Sequence, residues 1–259
     1  MNGLSGVINK VVQILDLLLP QGTEKEMSVT EISKALNMPI QSAHRLLSSL
    51  TEHGFVSQNE KTKRYKLGLS LMKYGFLMWD SLMLRTIARP FMEELSKRTK
   101  ETVYLSVREN AEGIYIDSVD SPQVLKISEP IGLRLPLFIR ASNRVILAFL
   151  KPELQKSLLE SFDWDDVPSL KPLSRSYIEQ ELIAIKQQGY AMTTNEATEG
   201  TTGIGVPIFS YENTVIGSLN VAGPSIRFSE ESIGKYSSMA RKYAALISNE
   251  LGYRGRNLQ

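Results

Sequence analysis

The chain has no cysteine among its 259 residues. That excludes disulfides, thiolate nucleophiles and cysteine-based zinc sites, and it fits a reducing compartment. Histidine is almost as scarce. The two present, His44 and His53, stand nine positions apart near the N-terminus and match no zinc spacing. Beyond residue 53 nothing can serve as the base of a Ser-His or Cys-His mechanism. An excess of one charge is missing too: 30 basic residues oppose 28 acidic ones, for a net charge of +2. Any nucleic-acid contact must therefore come from local clustering. No apolar run reaches the roughly 18 residues of a membrane span. The opening MNGLSGVINKVVQILDLLLP lacks the basic segment of a secretory signal. No P-loop occurs. Gly203-Ile204-Gly205 is no dinucleotide fingerprint, because no third glycine follows and it opens a strand where a helix is required. The expectation is a protein without metal, cofactor or membrane partner.

What is there reads as a soluble α+β protein, with 42% hydrophobic and 22% charged residues. Its length makes two domains the natural prior. Residues 4–19 set Ile8, Val11, Val12, Leu15, Leu18 and Leu19 at helical spacing, with Pro20 and Gly22 as the stop. Ser28 and Glu31 have capping-box spacing ahead of Ile32, Ala35 and Leu36. Asn37 can take the left-handed conformation that closes a helix, and Pro39 suits the start of the next. That next helix, 39–53, turns Ala43, Leu46, Leu47 and Leu50 inward. Gly54 ends it. Phe55 and Val56 open a strand, NEKT turns, and Arg64 to Leu67 returns, with Lys61, Lys63, Arg64 and Lys66 clustered and no acid among them.

Helix, tight turn, helix and basic hairpin is the order of a winged helix-turn-helix. The start of a recognition helix needs short polar and basic side chains to meet base edges in the major groove. Gln41, Ser42 and Arg45 meet that need, and His44 and Ser49 share the faces turned away from the core. Arginine pairs bidentately with guanine and glutamine with adenine. Lys61, Lys63 and Arg64 would neutralise phosphates, adding affinity without sequence information. The competing interpretation is a helical hairpin in an ordinary bundle beside a solvated charge patch.

From residue 68 to about 79 a helical seam carries Leu69, Met72, Phe76 and Trp79. A further helix covers about 82–98, with a break or kink expected at Pro90. The texture then changes. TVYLSVREN, GIYIDSVDS and VLKISE alternate at period two and read as an antiparallel meander. Residues 131–140 read as loop, followed by helices at 141–150, 153–161 and 174–188. The strands YAMTTN, GIGVPIFS and VIGSLNVAG follow, then a helix over 230–251 capped by Ser229. In the last strand Leu219 and Val221 share one face and Ser218, Asn220 and Ala222 the other. Thr193, Asn195, Thr202, Ser218 and Asn220 are polar positions in apolar strands. Buried, they need partners that a ligand could supply; otherwise they face water.

QSAHRLLSSLTEHGFV with RYKLG, RPFMEELSKRTKETVYLSV, QQGYAMTTNEATEGTTGIGVPIF and SLNVAGPSIRF occur in that order over nearly the whole chain. With these patches the sequence resembles the IclR family of bacterial transcriptional regulators. The resemblance implies a winged helix-turn-helix DNA-binding domain at 1–67, a linker helix used in dimerisation at 68–86, and a GAF-like effector-binding domain with an antiparallel sheet at 87–259. It also implies a cytoplasmic homodimer or homotetramer on the double-stranded DNA of a palindromic operator, with repression preferred over activation. Carried over, the family's effector pocket falls on Arg140, Ala141, Ser142, Asn143, Thr193, Asn195, Gly203, Asn220 and Ala222. Within IRASNRVILA the chain departs from the family pattern. Asn143 and Arg144 replace a usual Gly-Lys, and Arg140 replaces a small hydroxyl residue. An inward Arg140 would favour a small carboxylate or sugar acid as effector; an outward one would be a solvated charge. Two other classes compete. One is an enzyme domain fused to the DNA-binding module, using Asp117, Asp120, Glu196 or Glu199. The other is a second domain that serves only for oligomerisation.

Overall fold

Helix α1 (Gly3–Leu17) leads into α2 (Val29–Ala35) and α3 (Ile40–Glu52). The computed structural model describes residues 3–20, 25–81, 83–165, 167, 169–170 and 172–255, and the side chains of 3–5 and 76–81 lie outside the description. So do Gly22 and the Phe76 and Trp79 side chains of the expected seam; Leu69 and Met72 from that seam are exposed. The core of this part joins Ile14 of α1, Leu18 just past its end, Ile32 of α2, and Leu47 and Leu50 of α3. Two short strands complete it, Val56 from β1 (Val56–Gln58) and Tyr65 from β2 (Tyr65–Leu67). The first helix corrects the sequence reading: Ile8, Val12 and Leu19 are 63%, 49% and 51% exposed. Its apolar residues extend over more than one stripe, and this small core accepts only the stripe through Val11, Ile14, Leu15 and Leu18.

Ser28 and Glu31 form the full capping box, and Asn37 takes the left-handed conformation at φ +45°. β1 and β2 pair antiparallel with Ser57 opposite Lys66, and Met27 adds a bridge to Tyr65. At the tip, the Asn59 side chain accepts the Lys61 and Thr62 N–H groups. α4 (Ser70–Ser81) belongs to this first unit, which spans residues 1–81.

The second unit, residues 82–259, is built on a six-stranded sheet. In chain order come α5 (Met83–Thr99), β3 (Thr102–Glu109), β4 (Glu112–Val119), β5 (Arg134–Pro136), α6 (Arg140–Phe149), α7 (Pro152–Ser161), α8 (Arg175–Gln188), β6 (Ala191–Thr194), β7 (Thr201–Phe209), β8 (Val215–Pro224) and α9 (Glu230–Glu250). The strand order is β5-β4-β3-β8-β7-β6, with all neighbours antiparallel. Both faces of the sheet are covered. Val103, Leu105, Ile204, Val206, Ile208, Leu219 and Val221 pack under α5 and α9. A second apolar cluster joins α6, α7 and α8.

Three expectations are corrected here. VLKISE is not a strand. It is an irregular segment whose Ile127 carbonyl accepts the Thr102 and Tyr104 hydroxyls, while Val124 and Leu125 are exposed. The strand beside β4 is instead β5, inside the stretch read as loop, with Gly113 opposite Leu135. Prolines at 122 and 130 flank the irregular segment, and its alternation has no sheet edge to pair with. Helix α5 continues through Pro90 without a break. The missing N–H removes one hydrogen bond, yet Leu84, Ala88, Met92 and Leu95 are all buried against the sheet, and packing of that stripe outweighs the loss.

Candidate functional site

In the first unit, burial of Ala43, Leu47 and Leu50 turns Gln41, His44, Arg45, Ser48 and Ser49 to the exposed side of α3, with Ser42 half-buried. His44 Nδ1 lies 3.4 Å from the Ser48 hydroxyl. Pro39 supplies no side-chain cap, so helix geometry leaves the Ile40 and Gln41 N–H groups without intrahelical acceptors, a set-up that favours a phosphate. Ser48 lies on the same exposed face and belongs with the candidates; its position one turn after His44 was the signal for it.

Lys61 and Lys63 stand exposed at the tip of the hairpin, and Lys63 holds a left-handed backbone at φ +55°. Arg64 is placed differently. Its Nε and Nη2 donate to the Glu26 carbonyl at 3.2 and 3.0 Å, and Nη2 reaches both Glu31 oxygens at 3.0 and 2.9 Å. The basic cluster thus has an acid after all, supplied by α2. Arg64 ties the hairpin to the start of α2 and leaves Lys61 and Lys63 as the exposed cations at the hairpin tip.

The Ser28 backbone N–H and hydroxyl, then Arg64, draw the Glu31 carboxyl down to about 2 from its ordinary 4.5. A depressed carboxylate contributes stability that is present above the unfolded value and lost as pH falls. The tie should therefore loosen between about pH 4.5 and 2. In an NMR titration, Arg64→Ala is expected to raise the Glu31 midpoint only part of the way, because the Ser28 N–H is the largest cause. Full recovery of the ordinary value in that variant would show that Arg64 dominates.

In the second unit, a concavity with about 380 Å³ of empty space, its mouth included, opens between the start of α6, β6, β7, β8 and the segment before β5. Arg140, Ala141, Thr193, Gly203, Asn220 and Ala222 line it together. The other three residues named from the sequence lie elsewhere. Ser142 is buried with its hydroxyl 3.3 Å from that of Tyr115. Asn143 donates to the Leu135 carbonyl at 3.2 Å. The Asn195 side chain accepts the Gly200 N–H at 2.8 Å within a turn. Thr202 and Ser218 are buried, not solvated, and have protein partners: Thr202 pairs with Thr194 and Ser225, and Ser218 donates to the Ser142 carbonyl at 2.7 Å. Tyr115, Glu129 and Glu196 also line the cavity; the sequence offers Glu196 only as an enzymatic carboxylate and does not single out the other two. Tyr115 stacks on Tyr104 across β3 and β4 with ring centroids 4.6 Å apart, a cross-strand pairing that alternation within either strand cannot supply, because a bulge shifts the register between them. Glu129 sits in the segment misread as a strand.

Helix α6 has no side-chain cap of its own; distant residues supply one. The Arg140 N–H donates to Glu196 Oε1 at 2.7 Å, and the Ala141 N–H to the Thr193 hydroxyl at 3.2 Å. Arg140 takes φ +67°, a strained conformation for a side chain of its size. Glu196 Oε2 receives Arg144 Nη2 at 2.5 Å, and Arg144 also donates to the Phe138 carbonyl at 3.2 and 2.9 Å. The Arg140 side chain turns inward and pairs with Glu129 at 2.7 Å, both about four-fifths buried. Burial opposes its charge, but Tyr115 and Glu129 more than offset this, so it stays cationic. Two buried atoms on the concavity have no hydrogen-bond partner: the Arg140 Nε donor and the Asn220 Oδ1 acceptor.

The carboxylates that an enzymatic reading would use are otherwise placed. Asp117 lies 3.0 Å from Arg89 Nη1 and 3.1 Å from Arg85 Nε. Asp120 pairs with Lys126 and Glu196 with Arg144, while Glu199 is exposed. Among the described residues, no group of three or more His, Cys, Asp or Glu could hold a metal ion, and no helix is long and apolar enough to cross a membrane.

Two family descriptions match the chain: the IclR helix-turn-helix domain over residues 7–60, and the bacterial transcriptional regulator IclR C-terminal domain over residues 76–249. The HTH-type transcriptional regulator KipR of Bacillus subtilis is 32% identical over 253 residues, which cover 98% of this chain and 100% of that protein. The crystal structure of Thermotoga maritima IclR superposes with a TM-score of 0.77 at 32% identity, covering 96% of this chain and 100% of that one. An IclR homologue from Microbacterium hydrocarbonoxydans, complexed with 4-hydroxybenzoate, shares the fold with a TM-score of 0.77 at 22% identity, over 95% of this chain and 98% of its own.

Proposed function

The chain belongs to the IclR family of bacterial transcriptional regulators, and from that premise we propose that it is a cytoplasmic repressor released from its operator by a small polyhydroxylated carboxylate. One observation carries the ligand class. A cationic donor, Arg140 Nε, and a neutral acceptor, Asn220 Oδ1, are buried without partners on the same concavity. A carboxylate answers the first and a hydroxyl the second. The Thr193 and Thr201 side chains on the same wall suit further hydroxyls. The 4-hydroxybenzoate bound by the Microbacterium homologue also joins a carboxylate to a hydroxyl. The protein acts as a homodimer or homotetramer on a palindromic site, reading it with Gln41, Ser42, His44, Arg45 and Ser49 and holding phosphates with Lys61 and Lys63. The effector works by binding one of two conformational states better than the other.

A gel-shift assay on DNA upstream of the protein's own gene, titrated with D-gluconate, D-glucuronate and D-galacturonate, tests this. At least one acid should release the DNA. Binding that none of them changes would remove the ligand class.

Two substitutions separate the roles on the DNA side. Arg45→Ala is expected to weaken specific binding by about 1–3 kcal/mol and to relax discrimination at one base pair. Lys63→Ala should weaken all sequences alike and make the salt dependence shallower by about one unit. Competition gel shifts at several salt concentrations give both quantities; unchanged discrimination would take Arg45 out of base readout.

A further inference from the structure

We propose that Glu129 is the pocket's built-in competitor for Arg140. Its carboxylate occupies the place that an anionic effector's carboxylate would take on Arg140, and the effector binds by exchanging with it. This rests on the concavity being the effector site, as proposed above.

The two pocket carboxylates are held very differently. Glu196 has both oxygens engaged, by the Arg140 N–H and by Arg144, and it is 5% exposed, so nothing small can displace it. Glu129 contacts Arg140 through one oxygen and one nitrogen, Oε1 to Nη2. That end-on contact leaves the neighbouring Nε buried and unsatisfied. A free carboxylate is not tethered to a backbone and can approach the Nε–Nη2 edge side-on, meeting both donors at once. The bidentate geometry is the stronger one, so the ligand gains a hydrogen bond that Glu129 does not make.

Glu129 can also leave without breaking the sheet. It lies in the irregular segment between β4 and β5, which side chains tie down. The Thr102 and Tyr104 hydroxyls hold the Ile127 carbonyl, the Tyr104 hydroxyl accepts the Glu129 N–H at 2.8 Å, and Arg227 holds the Leu125 carbonyl at 3.1 Å. Val124 and Leu125 on this segment face solvent, so its outer side has no packing to lose.

Charge then sets the selectivity. With Glu129 in place the cavity's charges are matched, Arg140 by Glu129 and Arg144 by Glu196. A neutral sugar offers nothing that displaces a carboxylate from a guanidinium, whereas a sugar acid does. Glu129 is therefore a specificity-determining residue, which rejects neutral analogues by keeping Arg140 occupied, and its release loosens the 124–131 segment on binding.

Isothermal titration of the full-length protein with D-gluconate, D-glucuronate and D-galacturonate, against D-glucose as the neutral control, tests the exchange. Glu129→Gln should bind the acid that acts on the wild type about tenfold more tightly. D-Glucose binding should not improve, and Arg140→Gln should lose the acid. Hydrogen exchange on the wild type provides a readout that needs no variant: residues 124–131 should exchange faster on adding the acid, and in Glu129→Gln they should be fast without it. Equal or weaker acid binding by Glu129→Gln, or slower exchange of the wild-type segment, would overturn the competitor role while leaving the pocket assignment intact. Failure of all three sugar acids to bind wild type and Glu129→Gln alike would sink the ligand class, and this proposal with it.

Discussion

Replacing Arg144 by alanine is expected to destabilise the C-terminal unit by about 3–5 kcal/mol, the range for removing one partner of a buried ion pair. Arg144 is among the largest fully buried side chains in the protein, at 1% exposure. Its guanidinium joins three things: the carbonyl of Phe138, the carboxylate of Glu196 and, at 3.6 Å, that of Glu181. Without it, Glu196 is a buried anion answered mainly by the Arg140 N–H, and the Phe138 carbonyl loses its donor. The damage would reach the pocket, because Glu196 caps α6 and lines the concavity. Urea unfolding followed by far-UV circular dichroism measures the loss. The double variant Arg144→Met with Glu196→Gln should recover part of it, since a neutral pair has far less desolvation to offset. A loss below about 1 kcal/mol for Arg144→Ala would mean that water replaces the guanidinium, and that the pair is not dry as the geometry requires.

Gly205→Ala is expected to be the second large effect, about 2–3 kcal/mol of stability as an overpacked contact, together with a loss of effector response. A β-carbon at residue 205 would stand 2.4 Å from the Ala141 carbonyl oxygen, 2.6 Å from its carbon and 2.9 Å from the Ser142 nitrogen. All three are backbone atoms of α6 and cannot rotate aside. The helix must lift off β7, carrying with it the Arg140 and Ala141 N–H groups that Glu196 and Thr193 hold. Gly203→Ala is the control on the same strand. Its β-carbon would meet only the Asn220 side chain at 3.4 and 3.7 Å and Ala141 Cβ at 3.9 Å. That variant should fold with little loss and reduce effector binding alone. Thermal melts and ligand titrations on the two variants separate the cases; equal stability of both would show that α6 does not rest on Gly205 as closely as drawn.

These two glycines also show where reading the sequence stops. Gly203-Ile204-Gly205 is no dinucleotide fingerprint, and the sequence alone gives these glycines no other role. Its real role, letting a helix lie directly on a strand, depends on an element some sixty residues earlier in the chain. The local signals were read well because they are local. The Ser28–Glu31 capping box, the left-handed Asn37 and the Ser229 cap all act within a turn of their own position. The period-two strands were legible for the same reason, save where alternation in VLKISE met no neighbouring edge.

Arg64 and Arg144 fell on the other side of that line. Arg64 reads as one more cation of a basic wing, and only the folded hairpin brings it onto Glu31, thirty-three positions away. Arg144 reads as the stand-in for a family lysine, and only the packing of α6 under residues 138 and 196 makes it a buried clamp. By itself the sequence determined the element types and their order except at VLKISE and β5, the polar outward face of α3, and the absence of cysteine and histidine chemistry in the second unit. Tertiary structure alone decided which apolar stripe of α1 is buried and that Arg140 points inward. It also decided which polar atoms are left without partners at the cavity. The reason is physical: helix and strand propensity is a property of neighbouring residues, whereas burial, ion pairing and unsatisfied hydrogen bonds belong to groups that only the closed fold brings together.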